Sequence, residues 1–230
     1  MAGWAAAAPA QQLHEMDYAA LAAEVTGRVD FDGALPPRPE PGYRLDHGLA
    51  FAGGHLGTHF TGQRSLAWPV AGGELHDRLE QTSLPHAPLT LETGPPGEGL
   101  SLALHRAFGS MGLMPVGPAG FPDRAARGEG SVAILFAEDV CMAGFLAHTE
   151  FADDLGSNAG HRGTIRIAAY TRDGRRIGQI TRHPGVGISG HGVRVPDGDP
   201  GFAGLTIENE DPGGISLDDI VFGGCVQVIG

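Results

Sequence analysis

The sequence predicts an all-β fold, an antiparallel two-sheet sandwich preceded by a short helical segment. Three observations predict it. Short runs of alternating or β-branched apolar residues recur through the second half, each bounded by turn residues. The 38 glycines and 17 prolines are spread along the chain rather than repeated, as many short strands and loops require. Helical composition is confined to one stretch near the N-terminus. With 41% hydrophobic and 18% charged residues, the 230-residue chain has the make-up of a folded domain and not of a disordered one.

Residues 1–28 stand apart as an N-terminal helical, anchoring segment, and residues 29–230 form the β-rich body. Within the segment, residues 16–27 hold good helix formers and end on Gly27, with Leu13, Met16, Leu21 and Val25 on one side. So short a helix buries little alone, so it packs on the body or docks elsewhere. Val29-Asp30-Phe31-Asp32-Gly33 opens the body. Residues 36–41 are a stiff proline loop, and residues 43–51 alternate like one half-buried strand. Residues 52–99 read as long loops or an insertion, with short strands at 65–68 and 89–92. Residues 100–104 form another strand, and 109–130 read as loop. Residues 131–136 and 143–148 are two central strands. Residues 164–170 and 176–181 make a β-hairpin around Asp173-Gly174. Residues 202–224 are two strands joined by the turn Asp211-Pro212-Gly213-Gly214, and 226–229 close a final strand.

All 15 basic residues are arginine and the formal charge is −12, which argues against nucleic acid or an anionic membrane as partner. No stretch approaches the ~18 apolar residues of a membrane span. The N-terminus has neither the basic nor the apolar region of a signal peptide, so synthesis in the cytoplasm and later release or display is expected. Cys141 and Cys225 either pair or remain two buried thiols.

Asp218 and Asp219 interrupt an apolar strand. Successive strand residues face opposite sides, so one carboxylate points inward and needs a hydrogen-bond network, an arginine or a bound cation. Glu208, Glu210 and Asp211 precede a turn and read as solvated. His55 and His59 have zinc-helix spacing, but Gly53, Gly54 and Gly57 oppose a helix there. Trp68, beside Pro69, is either a sugar-stacking platform or a packed aromatic. In the polar loop 151–163, Asp153, Asp154, Asn158, His161 and Arg162 suit sugar hydroxyls, although solvation explains each singly. No nucleophile elbow, phosphate loop or complete zinc-protease helix is present, so no enzyme is expected, while a hydrolase assembled from distant carboxylates stays open.

Asp30-Phe31-Asp32, Tyr43, the run Gly48-Leu49-Ala50-Phe51, Phe136, Gly144-Phe145 and the closing run 215–222 resemble bacterial galactose-binding-like jelly-roll domains. The closing run is also similar to that of MAM domains. The resemblance covers residues 29–229, with 52–130 departing from the family pattern. It implies a jelly-roll sandwich whose first and last strands lie side by side near a structural Ca²⁺, pairing Asp30 or Asp32 with Asp218 or Asp219. It further implies a non-catalytic surface domain that binds cell-surface polysaccharide through end loops. Weak single-site affinity would call for several copies, on a larger assembly such as the head spike or fibre of a phage-like particle. A structural assembly protein without a sugar site, or a polysaccharide hydrolase, are the alternatives.

Overall fold

The structure is a computed structural model that describes residues 12–70, 73–82, 88–149 and 163–225. These residues form an all-β fold with one short helix near the N-terminus. The chain begins with β1 (His14–Met16), α1 (Tyr18–Glu24) and β2 (Gly27–Val29), then β3 (Tyr43–Leu45), β4 (Leu49–Phe51), β5 (Gly54–Gly57) and β6 (His59–Phe60). A hairpin of β7 (Gln63–Pro69) and β8 (Leu75–Gln81) follows, then β9 (Leu91–Glu92), β10 (Leu100–His105) and β11 (Ser110–Pro115). The second half holds β12 (Val132–His148), β13 (Ile165–Tyr170), β14 (Arg176–Arg182), β15 (Ile188–Arg194), β16 (Phe202–Asn209) and β17 (Ser216–Gly224). A large sheet runs β14-β13-β16-β12-β17-β11-β10-β3, with five further strands attached beside it.

The 17-residue β12 is the axis of this sheet. Its first part pairs with β16 and β5, and its second part with β17 and β15. Between them Ala137, Glu138 and Asp139 are exposed and the register shifts. The two central strands expected from sequence are therefore one strand that exchanges partners at a polar bend. Arg172 fixes that bend, its Nη1 donating to the Phe136 carbonyl at 2.8 Å and its Nη2 meeting Asp139 at 2.6 Å. Just beyond it a disulfide joins Cys141 to Cys225, the paired alternative. Val132, Ile134, Phe136, Phe145, Phe202, Leu205, Leu217 and Ile220 from these strands share one buried cluster.

The hairpin around Asp173-Gly174 forms as expected, with Gly174 at φ 81°. The two strands of residues 202–224 also form, but they flank β12 and do not pair with each other. Residues 43–51 are two strands because Gly48, at φ 68°, takes a turn that closes on the Leu45 carbonyl. Residues 109–130 are not all loop: β11 buries Met111, Leu113 and Met114 between β10 and β17. Strand β15, unrecognised behind its glycines, pairs along β12. The expected strand at 226–229 lies outside the described residues.

The N-terminal segment packs on the body. Strand β1 extends β15, and β2 pairs with β17 so that Val29 faces Ile220. Helix α1 is capped by Asp17, whose carboxylate accepts from the Ala20 amide, and buries Leu21 against Met142 and Val221. A Cβ on Gly190 would lie 2.5 Å from that of Tyr18, so glycine there permits the close approach.

Candidate metal centre and adjoining cavity

Asp218 is the inward carboxylate of the pair, 4% exposed. Opposite Phe145, β17 carries an extra residue, a bulge at Asp219, which sits at φ 47°. Asp218 accepts from the Ser110 hydroxyl at 2.6 Å and from the Asp219 amide at 2.7 Å. Burial pushes its carboxyl up to about 6, against the pull of those two donors. Asp219 forms a forked pair with Arg28, at 3.0 and 2.7 Å. Asp32 accepts from the Met111 amide at 2.8 Å, and Asp30 is exposed. Asp32 and Asp218 thus hold neighbouring residues of β11, while Asp219 turns to an arginine. The buried carboxylate of Asp218 thus has a hydrogen-bond network, and the arginine goes to Asp219.

Trp68 is 43% exposed on β7, with the Arg78 guanidinium 4.3 Å over its ring. Asp153, Asp154, Asn158, His161 and Arg162 lie outside the described residues. His55 and His59 lie on strands β5 and β6, so their spacing does not form a helical pair.

A different cluster could hold a metal ion. Ligand atoms of Glu74, His76 and Glu129 lie within 4.8 Å of one another, the one such set of three among the described residues. Glu74 immediately precedes β8, His76 lies at its start, and Glu129 lies in the loop before β12. Strand β8 is stitched to that loop: the Asp77 amide donates to the Glu129 carbonyl at 2.8 Å, and the Ser131 amide to the Asp77 carboxylate at 3.0 Å. Asn209 secures the other side. Its carbonyl is 3.1 Å from His76 Nδ1, and its side-chain amide donates to the Gly128 carbonyl at 2.8 Å.

His76 and Glu129 are 1% and 2% exposed. His76 Nε2 and Glu129 Oε2 have no hydrogen-bond partner. Burial pushes the Glu129 carboxyl up to about 8, with Glu74 and Asp123 adding to the rise, and lowers the His76 pKa. Sequence reading missed these residues. No local signal marks them, because the burial runs against hydropathy: Leu75 is 44% exposed while His76 and Asp77 beside it are buried.

The same hairpin walls a cavity of about 290 Å³, lined by Gln63, Leu79, Gln81, Tyr170, Gly174, Arg176, Gln179 and Glu208. Gln63 donates to the Tyr170 hydroxyl at 2.9 Å. Glu208 accepts from the Leu79 amide at 2.8 Å and meets Arg166 at 3.4 Å. Burial raises its pKa. Glu208 also lines a small void shared with Trp68, Arg78 and Arg166.

No protein-family model matches the chain, and comparison with curated proteins gave no match.

Proposed function

We propose that the protein is a non-catalytic carbohydrate-binding domain of jelly-roll type, with its sugar site in the cavity between the β7–β8 and β13–β14 hairpins. The observation that carries this reading is the cavity's lining, in which Gln63, Gln81 and Gln179 stand with Arg176, Glu208 and Tyr170. A glutamine amide offers both a donor and an acceptor, as a sugar hydroxyl does. Gln63 is already engaged with Phe60 and Tyr170, and Gln81 with Gly62. Gln179, which accepts only a 3.3 Å contact from Arg176, is therefore the glutamine best placed to exchange hydrogen bonds with a polyol. The volume of about 290 Å³ sits at the small end of ligand sites. Trp68 adds an aromatic surface beyond Glu208, one face of it already taken by Arg78. Binding per site is weak on this reading, because every displaced water must be replaced, and several copies would supply avidity. A hydrolase is disfavoured: glycosidases flank the scissile bond with two carboxylates, and Glu208 is the one carboxylate among the described lining residues. The disulfide supports residence in an oxidising compartment or on an exposed surface.

Calcium at the closing strand is a second reading, favoured by Asp32 and Asp218 holding the neighbouring residues Met111 and Ser110. All-oxygen donors suit Ca²⁺. The contacts already made by Asp218 and Asp219 compete with it. Melting with Ca²⁺ or Mg²⁺ after chelation tests this reading; no Ca²⁺-specific rise, or the same rise in Asp218→Asn, rejects it.

The sugar site is tested on an array of capsular and cell-surface glycans, with wild-type protein and Gln179→Ala. Gln179 is exposed, so the variant keeps its fold. Binding that is lost in the variant supports the site. A blank array from multimerised protein rejects carbohydrate binding and favours a structural assembly role, and binding unchanged in Gln179→Ala rejects this cavity.

A further inference from the structure

We propose that Glu74, His76 and Glu129 bind a divalent transition-metal ion of the zinc class, which fastens the β7–β8 hairpin to the loop before β12. This inference stands independently of any sugar site. It begins with atoms that have nothing to bond. His76 Nε2 and Glu129 Oε2 are buried without partners, and both belong to the one close set of three ligands among the described residues. Leaving such groups unpaired is costly, so two of them side by side call for a common occupant.

The hydrogen bonds around the site select the ligand form of the imidazole. A carbonyl only accepts, so the contact from the Asn209 carbonyl places the proton on His76 Nδ1. Nε2 is then left with an unshared lone pair, the form in which an imidazole binds a metal. A backbone carbonyl holding the second ring nitrogen is the usual support of a metal-bound histidine. Glu74 is held from its other side, one oxygen accepting from the Gly213 amide at 3.1 Å and the other remaining for a metal. Glu129 has an oxygen free.

Charge and donor type define the ion. When both carboxylates give up their protons to bind, they and a neutral imidazole carry two negative charges, and a divalent ion cancels both. The charges that Glu129 feels most, those of Glu74 and Asp123, are negative and offer it no relief. One nitrogen and two carboxylates suit Zn²⁺ or a neighbouring first-row ion, whereas Ca²⁺ seeks six or more oxygens. Ligands ~2.0–2.1 Å from a tetrahedral ion are about 3.3 Å apart. The present limit of 4.8 Å therefore asks for closure of about 1.5 Å per pair at most. A water completes the fourth position. The ligands come from two separate segments, so the ion would brace the hairpin against the loop whatever the water does. The competing occupant is a proton shared between Glu74 and Glu129, which would leave the site indifferent to metal.

The test uses the full chain stripped by a chelator, then titrated with Zn²⁺ and with Co²⁺. The expected result is one tightly bound equivalent, a rise in melting temperature, and a Co²⁺ absorption spectrum of a low-coordinate site. Glu74→Gln, at the half-buried rim, and His76→Gln should each weaken binding by more than about tenfold. Asp218→Asn should bind Zn²⁺ as wild type does. Folded wild-type protein that takes up no stoichiometric Zn²⁺ overturns the proposal in favour of the shared proton. So does a Glu74→Gln protein that binds with unchanged affinity, whether or not His76→Gln folds.

Discussion

Replacing His191 with phenylalanine should change how stability depends on pH. His191 lies on β15, 2% exposed, with its ring stacked on Phe145 at 5.3 Å. Its Nε2 is 2.9 Å from the Ser189 hydroxyl, and its Nδ1 has no partner. Burial, helped by the positive charge of Arg182, lowers its pKa from 6.5 to about 4. The folded protein therefore keeps this imidazole neutral in a range where the unfolded chain protonates it. Its contribution is fully present above pH 6.5 and is lost as pH falls through about 4. At about 1.4 kcal/mol per pH unit between those values, the loss is about 3 kcal/mol. His105, also lowered to about 4, works the same way, while Asp77 and Asp218, raised to about 6, work oppositely. The total pH curve mixes these slopes, so the informative quantity is the difference between wild type and His191→Phe. Urea unfolding followed by circular dichroism should show a constant difference above pH 7, then a shift of about 3 kcal/mol in the variant's favour on approach to pH 4. Parallel curves from pH 7 to 4 would refute the reasoning, because they would mean that His191 titrates alike in both states.

Two further outcomes follow from packing and covalent structure. Replacing Cys141 and Cys225 by serine opens a link spanning 84 positions and should lower stability by about 4 kcal/mol, read from urea curves; equal stability with and without reductant would contradict the link. Leu21→Ala should cost about 2–4 kcal/mol, because Leu21 is fully buried against Met142 and Val221; an unchanged melting temperature would mean that α1 does not dock in solution.

The parts of this fold legible in the sequence were those in which side-chain period and turn chemistry agree. Residues 165–182 show it: alternation on both sides of Asp173-Gly174 admits one arrangement, and the hairpin forms. Strand β11 was hidden because Gly112 and Pro115 read as loop, although Gly112 is small where a Cβ would come 3.2 Å from His105. At Asp218 the need for partners was legible, but their identity depends on tertiary neighbours. Ser110 and Arg28 are distant in sequence and reach the pair through β11 and β2. Glu74, His76 and Glu129 were the least legible. A ligand set split between a hairpin and a loop 53 residues beyond His76 has no characteristic spacing. The charged and polar residues His76, Asp77, Arg78 and Glu80 also look like solvated surface until the burial of His76 and Asp77 is known.

That hairpin connects the two proposed sites through the end of one strand. Glu208 and Asn209 are consecutive on β16, and each holds a different part of β8. Glu208 accepts from the Leu79 amide where the cavity begins, and the Asn209 carbonyl fixes the His76 ring where the metal ligands meet. Leu79 and Gln81 therefore keep their places in the cavity wall only while β8 stays seated on β16 and on the 129–131 loop. Apolar packing contributes little there, because Trp68 and Leu75 of the hairpin face solvent and its buried residues include His76 and Asp77. A hairpin seated by polar contacts gains little from the hydrophobic effect and relies on every buried polar atom being satisfied. A metal ion at Glu74, His76 and Glu129 would satisfy two that are not, which makes it the element on which the cavity's shape would most depend.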